Sequence, residues 1–266
     1  MKIIVSVKQV PDTSGKVAVN PDGTLDRASM QTITNPDDLN AVEAALTLKD
    51  ETGCKVIIVT MGPPPAEGML REILARGADE AVLVSGREFG GSDTYATSQI
   101  LAAAINRIGV EKEDIIMCGR QAIDGDTAQV GPQIGEKLGL PQITYAAEIT
   151  KEGKTVTVKR MLEDGYMTIK TQTPCLLTCI KELNEPRYMS VGGVFEAYSK
   201  PMSVFDYEAL KDDPLIDPTT IGLKGSPTNI LTSFTPPQKG AGMMLEGADK
   251  ETCEKLAGIL AKKHII

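Results

Sequence analysis

Apolar positions in the first half of the chain follow two alternating patterns. Short, nearly continuous apolar runs, KIIVSV at 2–7, KVIIVTM at 55–61, EAVLV at 80–84 and DIIMC at 114–118, read as strands covered on both faces. Between them, Asn35 to Asp50, Ala66 to Arg76 and Asp93 to Arg107 have helical spacing, with Leu39, Val42 and Leu46 on one face of the first and Gly53 and Gly77 as stop signals. This alternation predicts an α/β protein with a doubly wound, mostly parallel sheet and right-handed crossovers.

The pattern then changes. QITYAAEIT, KTVTVKRML, YMTIKTQ and CLLTCI, between 142 and 180, are strand-like runs joined at Gly153 and Gly165, and they predict an antiparallel meander closing the sheet's edge. From about Ser190 to Gly247 the chain is rich in Pro, Gly, Ser and Thr and loses periodicity, which suggests an extended arm. The arm ends in a helix with Asp249 as N-cap and Cys253, Leu256, Ile259 and Leu260 on one face. The expected division is therefore 1–190 and 191–266. One connection, Lys8 to Thr34, is unusually long, and Asn20-Pro21-Asp22-Gly23 within it predicts a hairpin excursion.

Composition narrows the chemistry. The net charge of −8 is spread along the chain, which argues against a phosphate-backbone binder and hence against nucleic acid. No apolar run approaches the roughly 20 residues of a membrane span. The N-terminus lacks a secretory core, and the five cysteines form no C-x-x-C pair, so a reduced, cytoplasmic setting is the expectation. His264 is the single histidine, which excludes histidine-based triads and multi-histidine metal centres; any redox chemistry would be carried by a bound cofactor.

The stretch GRQAIDGDTAQVGPQIGEKLGLP, Gly119 to Pro141, follows a predicted parallel strand at the sheet edge where α/β proteins bind ligands. Gly119 and Gly125 permit close backbone approach. Thr127 to Leu138 has the pattern of a helix whose free N–H groups, with the Thr127 hydroxyl, could receive phosphate oxygens. Asp124 and Asp126 would shape the loop or accept ribose hydroxyls, and Arg120 is a candidate cation. A helix merely capped by Asp126 or Thr127 is the plainer alternative; a metal site lacks further oxygen ligands. Asn35-Pro36-Asp37-Asp38 and Met61-Gly62-Pro63-Pro64-Pro65 fall on the same predicted edge, although alone they read as an N-cap box and a stiffened turn.

VKQVPD at 7–12, NPDD at 35–38, GRQAIDGDTAQVG at 119–131, LGLP at 138–141, LNEPRY at 183–188 and PPQKGAG at 236–242 together resemble the β (small) subunit of electron transfer flavoprotein. The resemblance implies an adenine-nucleotide-binding fold that pairs with a larger, FAD-holding α subunit through the arm and its docking helix. It places the nucleotide at Ser6, Asn35, Pro36, Asp37, Asp38, Met61, Gly62 and Gly119 to Val130, a run that includes Gln121, Ala122, Ile123, Ala128 and Gln129.

In one branch of the family that nucleotide is a structural AMP. In the electron-bifurcating branch it is FAD reduced by NADH, with electrons passing to the α-subunit FAD and to a low-potential acceptor such as ferredoxin. Thr13 after Asp12, where AMP-type members carry an aromatic, and GPPPAEG at 62–68 resemble the bifurcating type. Leu183, Asn184, Glu185, Pro186, Arg187 and Tyr188 resemble the loop that docks acyl-CoA dehydrogenase-like partners, with Val191 at the position usually held by leucine. The implied role is that of an electron carrier without a side-chain catalyst. A non-redox nucleotide sensor is the alternative of another class, whereas the absence of a P-loop speaks against an ATP hydrolase.

Overall fold

The computed structural model describes residues 1–12, 31–228, 231, 240 and 242–266. The turn expected at Asn20 to Gly23, Thr13, and most of the 236–242 motif lie outside the described residues. In chain order the first elements are β1 (Lys2–Ser6), β2 (Gln9–Pro11), β3 (Thr32–Thr34), α1 (Pro36–Thr52), β4 (Lys55–Met61), α2 (Glu67–Arg76), β5 (Glu80–Val84), α3 (Thr94–Ile108), β6 (Ile115–Gly119) and α4 (Val130–Lys137). Then come β7 (Gln142–Glu152), β8 (Thr155–Met161), β9 (Tyr166–Gln172), β10 (Cys175–Cys179), α5 (Val191–Glu196), β11 (Met202–Phe205), α6 (Tyr207–Leu210), α7 (Gly222–Gly225) and α8 (Lys250–Lys262).

Nine strands form one sheet in the order β11-β5-β4-β1-β6-β10-β7-β8-β9. From β11 to β7 all neighbours are parallel, while β8 and β9 extend the edge antiparallel. Alternate residues of each central strand enter opposite cores, which is why the apolar runs are nearly continuous. Ile3, Val5 and Ile58 pack with Leu46 of α1 and Leu70 and Ile73 of α2; Ile4, Ile57 and Val59 pack with Ile100 of α3 and Ile134 of α4. Each fully buried isoleucine contributes about 1.5–3 kcal/mol of transfer free energy.

Two expectations are corrected. CLLTC does not belong to the meander: β10 lies between β6 and β7, parallel to both, and is buried along its whole length. A continuous apolar run marks it as a central strand by the same rule that identified β1 and β4. Nor does an extended arm begin at Ser190. β11 pairs with β5, and Leu210, Ile216 and Ile221 are buried in the α3-side core. Their irregular spacing hides them from any helical or strand period.

The described residues fall into two compact units, one between 1 and 231 and one from 240 onward. The second carries α8, where the Asp249 side chain accepts the Thr252 N–H at 2.8 Å, as an N-cap should. In the first, β2 and β3 pair antiparallel at the two ends of the long first connection.

Candidate functional site

Parallel topology brings the carboxyl ends of β1, β4 and β6 to one edge, and with them Ser6, Met61, Gly62 and the loop from Gly119 to Gln129. The start of α1 meets this edge at Gly119. A Cβ added there would lie 2.4 Å from Asp38 Oδ1 and 2.6 Å from the Asp37 carbonyl carbon, so glycine is required. Sequence reasoning assigned that close approach to a ligand; the protein's own helix makes it.

The NPDD residues face inward. Asn35 is fully buried; its Nδ2 donates to the Gln121 carbonyl at 2.8 Å and its Oδ1 accepts the Ile123 N–H at 3.1 Å. The expected N-cap role is absent, since no side chain caps α1. Asp38 accepts the Lys8 N–H on Oδ2 and the Gly119 N–H on Oδ1, both at 2.8 Å. Burial pushes its carboxyl up to about 7 against the lowering effect of those two N–H groups. Burial also raises Asp37, opposed by Arg120, whose Nε faces Asp37 Oδ2 at 3.2 Å without the alignment of a hydrogen bond. The cation proposed at Arg120 is thus partly spent within the protein.

The loop itself is held at several points. Asp124 pairs with Lys8 Nζ at 2.7 Å, Asp126 Oδ1 accepts Gln121 Nε2 at 2.8 Å, and the Gly125 and Asp126 N–H groups both donate to the Ala122 carbonyl. Asp126 and Ala128 take φ of 52° and 53°, the left-handed region that costs a non-glycine residue about 1–2 kcal/mol. This kink delays the helix. α4 begins at Val130 rather than at Thr127, and no side chain caps its first turn. Gln129 instead accepts a hydrogen bond from the Thr94 hydroxyl at 2.9 Å.

Beneath that first turn lie Cys118 on β6 and Thr178 on β10, and Ser6 on β1 extends their cross-strand row. A Cβ on Gly131 would come within 2.6 Å of Cys118 Sγ and 2.8 Å of the Thr178 methyl carbon, so α4 sits directly on these two residues. Burial raises the Cys118 and Cys179 thiols, and both are packing groups rather than nucleophiles. Among the described residues the Ser6 hydroxyl is buried with no hydrogen-bond partner. A buried, unpartnered hydroxyl at the same sheet edge as an uncapped helix start and a strained loop suits a ligand rich in acceptor oxygens. These residues fit an adenine nucleotide held by its phosphate and sugar.

A second feature lies against the outer face of α1. Asn40 and Asn184 exchange amide hydrogen bonds at 2.8 and 3.0 Å, while Arg187 reaches Glu43 through Nε and a terminal nitrogen, both at 2.9 Å, and Asp50 at 2.8 Å. Glu43 is the chief reason that the Arg187 guanidinium holds its proton even more firmly than usual. Arg76 also donates to the Arg187 carbonyl. This anchorage leaves Tyr188, Val191, Phe195 and Tyr198 between 74% and 92% exposed. Sequence reasoning named Leu183 to Tyr188 and Val191 but missed Phe195 and Tyr198; the helical spacing from Val191 to Phe195 in VGGVFEAY was the available signal.

Comparison with known proteins decides the lineage. The Electron transfer flavoprotein domain matches residues 22–210. The chain belongs to the electron transfer flavoprotein family. Relatives of this electron transfer flavoprotein chain include the acryloyl-CoA reductase electron transfer subunit gamma of Anaerotignum propionicum, 69% identical over 100% of both chains. The caffeyl-CoA reductase-Etf complex subunit CarD of Acetobacterium woodii is 52% identical, and the electron transfer flavoprotein subunit beta of Clostridium acetobutylicum 48%, each over 100% of both chains. Among the described residues no helix is long and apolar enough to cross a membrane.

Proposed function

We propose that this chain is the small subunit of an electron-bifurcating electron transfer flavoprotein that serves a CoA-thioester reductase in the cytoplasm. The reading of a nucleotide subunit rests on one observation: the partnerless Ser6 hydroxyl at the strand edge where α4 starts uncapped and the strained Gly119 to Gln129 loop closes over. FAD bound there would supply acceptance of hydride from NADH and release of single electrons toward the FAD of a larger α subunit and a low-potential acceptor such as ferredoxin. The likeness to reductase-associated relatives supports this choice over a structural AMP.

The chain's own residues bind and orient. Backbone N–H groups at 127–131 and the Ser6 hydroxyl hold the phosphate side, and Asp124 and Asp126 fix the loop that carries them. Tyr188, Val191, Phe195 and Tyr198 form the surface for the acyl-CoA dehydrogenase-like partner, with Arg187 and Asn184 setting its position on α1. The arm and α8 serve the α subunit.

The test is to purify the chain with its α subunit and count flavins. Two flavins per heterodimer, bleached by NADH, is the expected result. One flavin plus AMP would overturn the bifurcating assignment, and no flavin at all would remove the electron-transfer role.

A further inference from the structure

The ladder between β1 and β6 ends at Ser6 and Cys118. Beyond it, the Lys8 and Gly119 N–H groups do not continue the strand pairing; both turn to the Asp38 carboxylate, one on each oxygen. Lys8 and Gly119 are the residues from which the two sides of the cradle depart, since Lys8 Nζ holds Asp124 and Gly119 opens the 119–129 loop. The carboxylate therefore acts as the last rung between two diverging strands.

We propose that Asp38 is a positioning residue of the nucleotide cradle, which acts by holding the ends of β1 and β6 at one spacing while its carboxylate stays off the ligand. This rests on the nucleotide reading above and deepens it. Both oxygens are already committed to protein donors, and an added Cβ at Gly119 would meet Asp38 Oδ1 at 2.4 Å, which leaves no room between them. Asn35 works in the same way one step further out, spending its amide on Gln121 and Ile123.

Only the ionised carboxylate accepts strongly on both oxygens, because protonation turns one of them into a hydroxyl, a donor and a much weaker acceptor toward an N–H group. The groups facing Asp38 are Asp37 on α1, Cys118 on β6, Cys179 on β10 and the Asn35 amide. The Lys8 ammonium is paired with Asp124 and the Arg120 guanidinium with Asp37. Burial dominates this surround, with the carboxyl titrating at about 7. Cradle closure and proton release are thereby linked.

The experiment strips the heterodimer of nucleotide and titrates it with AMP, the adenylate half of FAD, between about pH 6 and pH 8. A site that closes only with ionised Asp38 gains roughly tenfold in affinity over that interval, following the competent fraction. Asp38→Asn, which imitates the protonated form, is expected to bind at least about tenfold more weakly at pH 8 and to lose the pH dependence. Amide-exchange protection at Lys8 and Gly119, measured without nucleotide, is expected to rise with pH in the unmodified chain and to stay low in Asp38→Asn. Full AMP affinity or full Lys8 and Gly119 protection in Asp38→Asn would overturn the inference. Unmodified heterodimer that binds neither AMP nor FAD would overturn the nucleotide reading instead, and the exchange measurement keeps the two failures apart.

Discussion

Helix α1 supports two candidate functional regions that are built in opposite ways. At its N-terminus the polar side chains of Asn35 and Asp38 are buried and spent on backbone groups of neighbouring loops, so the site is presented as a shaped backbone. On its outer face Asn40, Glu43 and Asp50 hold a loop by side-chain contacts, and what is presented is a set of exposed apolar side chains on Tyr188, Val191 and Phe195. In the first region function and stability share the same groups; in the second they are separate. A backbone site cannot be weakened without disturbing the fold, whereas an exposed patch can be removed while its anchorage stays.

The largest effect should come from Gly119→Ala. Its Cβ would collide with Asp38 Oδ1 and with the backbone of Asp37, neither of which can swing away as a flexible chain end could. A loss of about 3 kcal/mol is expected, the upper range for overpacking, together with loss of nucleotide. A denaturant midpoint equal to that of the unmodified chain would break the claim that this region is a rigid frame. An effect spread over pH rather than present at every pH follows from Asp38. Its folded carboxyl titrates at about 7 against 3.8 when unfolded, so between those values the folded state keeps a proton that the unfolded state has lost. Stability contributed by this group therefore falls as pH rises through that window, by at most about 1.4 kcal/mol per pH unit. Asp38→Asn should remove that slope from the urea-unfolding profile, and an unchanged slope would count against the burial of charge at this site. The ionised form that closes the cradle is thus the form that folding disfavours.

How far each region was legible in the sequence follows from the same contrast. Strands covered on both faces announce themselves as apolar runs, so β1, β4, β5 and β6 and the edge that their ends define could be read directly. Position along the chain misled for β10, because an apolar run does not say between which neighbours it inserts. At the cradle the residues were identified but their partners were not. Nothing in NPDD distinguishes a carboxylate that meets a ligand from one that meets Lys8 and Gly119, which lie 30 and 81 residues away in the chain. The delayed start of α4 depends on left-handed φ values at Asp126 and Ala128, residue types that do not demand them. In the docking region, Arg187 and Asn184 were read as parts of a surface although their side chains are mostly anchors, and the exposed Phe195 and Tyr198 fell within a segment whose composition suggested no structure.

Two substitutions on the outer face sharpen the comparison from the other side. Arg187→Ala removes a two-pronged contact to Glu43 and a contact to Asp50, all partly screened by water, and about 1 kcal/mol of stability is expected to go with it. Nucleotide occupancy should be unchanged, and a fall in occupancy would show that the two regions are coupled through α1. Phe195→Ala should change stability least. The ring is 77% exposed and belongs to no core cluster, so the unfolding midpoint should shift by less than about 0.5 kcal/mol. Its cost should appear in docking: an exposed aromatic that becomes buried at the centre of an interface is worth about 2 kcal/mol, or roughly thirtyfold in the Kd for the proposed dehydrogenase-like partner. Binding measured on the intact heterodimer, with flavin content as the control, separates this from any effect on the cradle. Unaltered partner affinity would remove Phe195 from the docking surface, and with it the reason for anchoring the neighbouring loop so firmly to α1.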